Sequence, residues 1–133
     1  MKLEKIEGIG AVYAKKMAVV GVTTTAGLLK AAADRKGRKD LSGRSGVSEK
    51  MILEWVNKAD LMRVKGVGEE YSDLLEAAGV DTVRELRNRN AGNLHTALTE
   101  TNIKKNLVRR PPSLGEVSAW VENAKALEPL VTY

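Results

Sequence analysis

Ile6-Glu7-Gly8-Ile9-Gly10 stands near the start of the chain, and Val64-Lys65-Gly66-Val67-Gly68 repeats it 58 residues later. At the same spacing Tyr13, Gly21, Val22, Thr24 and Leu28 recur as Tyr71, Gly79, Val80, Thr82 and Leu86. Self-similarity over this distance is the mark of a duplicated supersecondary unit. Each half of a 133-residue chain is marginal as a core-forming domain by itself. Two units are therefore expected, over residues 1–61 and 62–133.

Outward from the glycines, apolar residues fall at helical spacing. Tyr13, Met17 and Val20, and equally Tyr71, Leu75 and Ala78, lie at i, i+4 and i+7. Gly21 and Gly79 then stand where a left-handed helix end is wanted, and Thr23 or Thr24 and Asp81 or Thr82 can cap the next helix. Further on, Ile52, Trp55, Val56 and Ala59 match Val117, Trp120, Val121 and Ala124, which Leu127 extends. Both segments read as amphipathic helices. Ser48 is placed to cap the earlier one, while Ser113 and Glu116 form a capping box after the stop at Pro111 and Pro112. No segment alternates apolar and polar residues with period 2, so the expected fold class is all-α. The two Trp residues are 65 apart, which requires about seven extra residues in the second copy, somewhere in Asn90 to Pro112. That stretch, and the Lys-, Arg- and Gly-rich stretch Ala33 to Arg44, are expected to be exposed irregular connections.

Composition narrows the functional classes. With no cysteine, disulfides, thiolate metal sites and cysteine nucleophiles are excluded. No phenylalanine is present, so the core must come from Leu, Val, Ile, Ala and Met with Trp55, Trp120, Tyr13 and Tyr71. His95 is the single histidine and lacks an acidic cluster at ligand spacing, which argues against a metal or catalytic role. No Walker loop, paired-carboxylate site or Ser-His-Asp set is visible; an enzyme, a cofactor and a metal are not expected. The longest apolar run, Met17 to Val22, is far shorter than a membrane span, and a soluble cytoplasmic protein is expected.

Charge separates the two copies. Residues 1–61 carry 12 Lys and Arg against 7 Asp and Glu, whereas residues 62–133 carry 10 of each, so the whole net charge of +5 belongs to the first copy. Such asymmetry points to an anionic partner for that half.

The glycine signatures resemble the helix-hairpin-helix motif, in which an apolar residue, Gly, an apolar residue and Gly lead into a helix that ends at another Gly. Leu41-Ser42-Gly43-Arg44-Ser45-Gly46-Val47-Ser48, leading into the Trp55 helix, resembles the second, degenerate hairpin of a paired unit. Nearly the full chain is similar to the small bacterial family catalogued as domain of unknown function 4332. Its front portions resemble the tandem hairpin domains of recombinases and transcription elongation factors. The resemblance implies two tandem paired helix-hairpin-helix units and a contact between hairpin amides and nucleic-acid phosphate. The physics is that of an uncapped helix start, where free N–H groups and the positive end of the dipole attract an anion.

On these positions, the expected contacts of the first copy are Gly8, Ile9 and Gly10 with Lys15 and Lys16, and at its rear hairpin Arg44, Gly46 and Lys50. In the second copy Gly66, Val67 and Gly68 are followed by Glu69, Glu70 and Asp73, carboxylates that satisfy the dipole and repel phosphate, so this hairpin is expected to be degenerate. The basic run Arg35, Lys36, Arg38, Lys39 and Arg44 reads as a solvated loop or a phosphate-tracking arm, and Arg109-Arg110 as solvated. The expected partner is nucleic acid, duplex DNA ahead of RNA, bound without sequence preference. The alternative is a structural adaptor that meets a protein partner through the acidic second copy.

Overall fold

The computed structural model describes all 133 residues. The chain is all-helical, with eight α-helices, and its one β-type contact is an isolated bridge between Lys2 and Thr24. It divides into two compact units, Met1–Asp60 with Leu130–Tyr133, and Leu61–Pro129. The division differs from the expected one at Leu61, which opens the second unit, and in the last four residues, which belong with the first. Thr132 N–H donates to Ala33 O at 2.9 Å, and Arg38 reaches Thr132 O at 2.6 Å.

In the first unit a 3-10 turn at Leu3–Lys5 precedes α1 (Ala11–Val19), α2 (Thr25–Ala32), α3 (Arg35–Ser45) and α4 (Glu49–Leu61), the last residue of α4 beginning the second unit. The N-terminal segment is held by Leu3 N–H to Thr23 O and Thr25 N–H to Met1 O, which frame the Lys2–Thr24 bridge. Met17 is the one fully buried side chain of α1. Leu28, Leu29 and Ala32 bury one face of α2, and Ile52, Trp55, Val56 and Ala59 that of α4, as their spacing predicts. Tyr13 meets Trp55 edge to face at 5.3 Å between ring centroids.

In the second unit α5 (Glu69–Ala77), α6 (Val83–Leu86), α7 (Ala91–Lys105) and α8 (Leu114–Ala126) surround a core that runs from Leu61 and Val64 through Leu74, Leu86 and Leu98 to Trp120 and Ala124. Tyr71 packs against Trp120 at 5.0 Å, as Tyr13 does against Trp55. The turn geometry also recurs. Gly8 and Gly66 have φ of 92° and 89°, and Gly21 and Gly79 have 84° and 93°, values that side chains with a Cβ rarely adopt. Thr24 and Thr82 are the N-caps of α2 and α6, each accepting an amide hydrogen three residues on.

Both stretches expected to be irregular contain a helix, although Asn106 to Pro112 is irregular as expected. Asp34 accepts from Gly37 N–H and starts α3, and Asn90 accepts from Asn93 N–H and starts α7. Leu41 anchors α3, and Leu94 and Leu98 at i, i+4 anchor α7. In the basic run the high charge masked a helix that buries little apolar surface. Arg38 is 4% exposed and, rather than lying in a loop or arm, donates to Ala32 O, Ala33 O and Thr132 O. In the second unit α7 has 15 residues against 11 in α3, and the segment that follows it is longer. There Asn102 pins Val108 through both its amide groups, at 3.0 and 3.2 Å. Arg110 forks both carboxylate oxygens of Glu116 at 2.8 Å, so it is an ion-pair partner, not a merely solvated cation. The expected capping box of Ser113 and Glu116 is present.

Candidate functional site

The Gly8–Gly10 turn delivers the chain into α1 with Gly10 as N-cap and no side chain capping it. Ile9 is 5% exposed, and its buried side chain anchors the turn. Its N–H already donates to Ile6 O at 3.2 Å, and the open donors begin two residues further on. No protein oxygen accepts the N–H groups of Ala11, Val12 and Tyr13; the first bond of the helix is Ala14 N–H to Gly10 O. Three amides therefore project at the positive end of the α1 dipole.

The first turn of α1 holds no acidic residue. Lys15 and Lys16 follow it, both exposed, and the Lys16 ammonium lies 5.7 Å from the centre of the Tyr13 ring. That distance is within cation–π range, a contact that does not neutralise the ammonium. Lys15 also lines an open groove of about 540 Å³ with Lys2, Glu4, Ala14, Ala18, Thr23 and Thr24.

The rear elements are placed differently from expectation. Gly46 ends α3 in the left-handed conformation, and its N–H donates to Ser42 O at 3.0 Å, so it offers no open amide. Arg44 is paired with Asp40 at 3.0 Å on the exposed side of α3. Lys50 lies in the first turn of α4, beyond Ser48, which caps Met51 N–H. Lys50 lines a cavity that shares no residue with the groove beside Lys15.

The second unit repeats the backbone and replaces the charges. Gly68 is the N-cap of α5, again without a side-chain cap, and Ser72 N–H to Gly68 O is the first helical bond. Here Glu69 and Glu70 fill the first turn. Just before α6, burial and the neighbouring Glu85 raise the Asp81 carboxyl above its ordinary value. His95 is half-buried on α7, away from any group of three acidic or histidine side chains able to hold a metal ion, none of which occurs. No helix is long and apolar enough to cross a membrane.

A family profile described as Domain of unknown function (DUF4332) matches residues 7–127, which takes in both glycine turns and all eight helices. The chain belongs to the DUF4332 family. No solved structure matches it. Within this DUF4332 protein the match runs from the residue before Gly8 to the residue after α8.

Proposed function

We propose that this DUF4332 protein is a non-enzymatic, sequence-independent DNA-binding module of two paired helix-hairpin-helix units, which holds duplex backbone through the start of α1. One observation carries the reading: three open amides stand at an acid-free helix start in the first unit, with exposed Lys15 and Lys16 further along α1, whereas the same turn in the second unit is acidic. Backbone donors and cations take phosphate and read no bases. The aromatic residues support a duplex over unpaired strands. Trp55 and Trp120 are buried and the Tyr13 and Tyr71 rings pack against them, so these four offer no stacking platform.

A fluorescence titration of a labelled duplex with the wild type and with a Lys15→Glu/Lys16→Glu variant tests the assignment. The variant is expected to lose affinity equally for unrelated duplex sequences. Unchanged affinity would remove these lysines from the interface.

A second reading rests on α5. Its turn keeps the backbone geometry of the first while presenting exposed Glu69 and Glu70, a surface suited to a basic protein partner. Capture from lysate that survives nuclease and is lost in a Glu69→Lys/Glu70→Lys variant would favour this adaptor role.

A further inference from the structure

Leu130–Tyr133 belongs with the first unit, and it is held there as a bound peptide is held. The segment has no secondary structure and follows Pro129. Its residues alternate like those of a strand laid on a surface: Val131 is 5% exposed, whereas Leu130 and Thr132 on either side of it are exposed. Both main-chain polar groups of Thr132 are engaged. The N–H donates to Ala33 O at 2.9 Å, and the carbonyl accepts from Arg38 Nη2 at 2.6 Å. One apolar anchor beside main-chain pairing is how extended peptides are recognised. The other half of the slot is built on the helices themselves. Arg38 Nη1 donates to Ala32 O and Ala33 O at the end of α2, at 3.2 and 2.8 Å, which fixes the guanidinium on the scaffold and leaves Nη2 to meet a carbonyl of the occupant.

We propose that this slot is an exchangeable peptide site, and that a second copy of the chain fills it with its own Leu130–Tyr133. The occupant follows from the slot. An identical segment reproduces every contact, and trading an identical element between copies is a low-cost route to a dimer. Exchange requires the resident segment to open. Its hold is one buried valine and the two main-chain hydrogen bonds of Thr132, which break locally while the helices stay folded. The resident segment competes at the high effective concentration of a tethered ligand, so exchange between copies is favoured when that segment is weakened. The slot shares no residue with the α1 turn, and the inference stands apart from the DNA-binding reading.

The test uses two variants of the full chain. Val131→Asp spoils the segment and leaves the slot, whereas Arg38→Ala spoils the slot and leaves the segment. A labelled peptide with the sequence of Glu128–Tyr133 is expected to bind the Val131→Asp chain saturably. Binding is expected to be about tenfold weaker when the peptide itself carries Val131→Asp, and about tenfold weaker to the Arg38→Ala chain. In sedimentation each variant alone is expected to be a monomer, and their equimolar mixture a dimer in which the Arg38→Ala copy gives its segment to the Val131→Asp copy. Failure of the folded Val131→Asp chain to bind the peptide, or absence of the dimer in the mixture, would overturn the proposal. If Val131→Asp does not fold, hydrogen exchange of the Thr132 amide in the wild type decides. Exchange through local opening, faster than that of the α4 core amides and insensitive to low urea, is expected. Exchange only by global unfolding would make the segment a fixed part of the fold and overturn the proposal.

Discussion

Gly8 and Gly66 occupy the same left-handed conformation in surroundings that differ. A Cβ at Gly8 meets open space, whereas at Gly66 it would lie 3.1 Å from Trp120 Nε1. Alanine at Gly8 should cost about 1–2 kcal/mol, the penalty of the backbone alone. Gly66→Ala should cost more, because Trp120 is 2% exposed and has little room to retreat. Urea unfolding of the two variants measures the difference, and equal losses would mean that Trp120 yields freely. Glu116 gives a second prediction at this scale. The Arg110 fork, followed by the Ser113 backbone N–H, lowers its pKa from 4.5 to about 2. A carboxylate whose pKa falls on folding contributes stability that is complete above 4.5 and is lost as the pH drops towards 2. Asp81, raised by burial and then by Glu85, acts in the opposite sense, since its ionisation opposes folding. Replacing Glu116 with Gln should therefore flatten the fall in melting temperature between pH 4.5 and 2. An unaltered acid limb would contradict the assigned role of the fork.

At the scale of elements, α3 shows where sequence reasoning stops. The turns at Gly8 and Gly66, the Ser113–Glu116 box and, to within one residue, the Thr24 and Thr82 caps were legible because each is a local pattern with its own mechanism. The run from Arg35 to Arg44 offered one buried apolar residue, Leu41, and its glycines suggested a loop. Gly37 serves packing instead: a Cβ there would collide with the carbonyl oxygen of Ala31, so glycine lets α2 and α3 approach. Arg38 was equally hidden, since its acceptors include Thr132, 94 residues away. The cavity beside Lys50 could not be read either, because tertiary packing brings Arg35 and Lys50 to it. Arg38→Ala should leave three carbonyl oxygens without this donor and cost about 1–3 kcal/mol, with faster amide exchange at Thr132. Wild-type stability and protection in that variant would show that the guanidinium does not hold the C-terminal residues.

For the molecule as a whole, backbone and charge carry different information. The two glycine turns share dihedral angles, uncapped helix starts and an aromatic pair behind them, yet all the excess positive charge lies in residues 1–61. The all-α fold and the family match extend over both halves. The proposed function follows from what they do not, and it concerns the first unit alone. The most direct test is the affinity for a duplex as a function of salt. Contacts with two to four phosphates predict that log affinity falls with log salt at a slope of roughly −2 to −4, and that Lys15→Glu/Lys16→Glu makes the slope shallower. Absence of binding at low salt, or binding with no salt dependence, would contradict a phosphate-holding α1 turn.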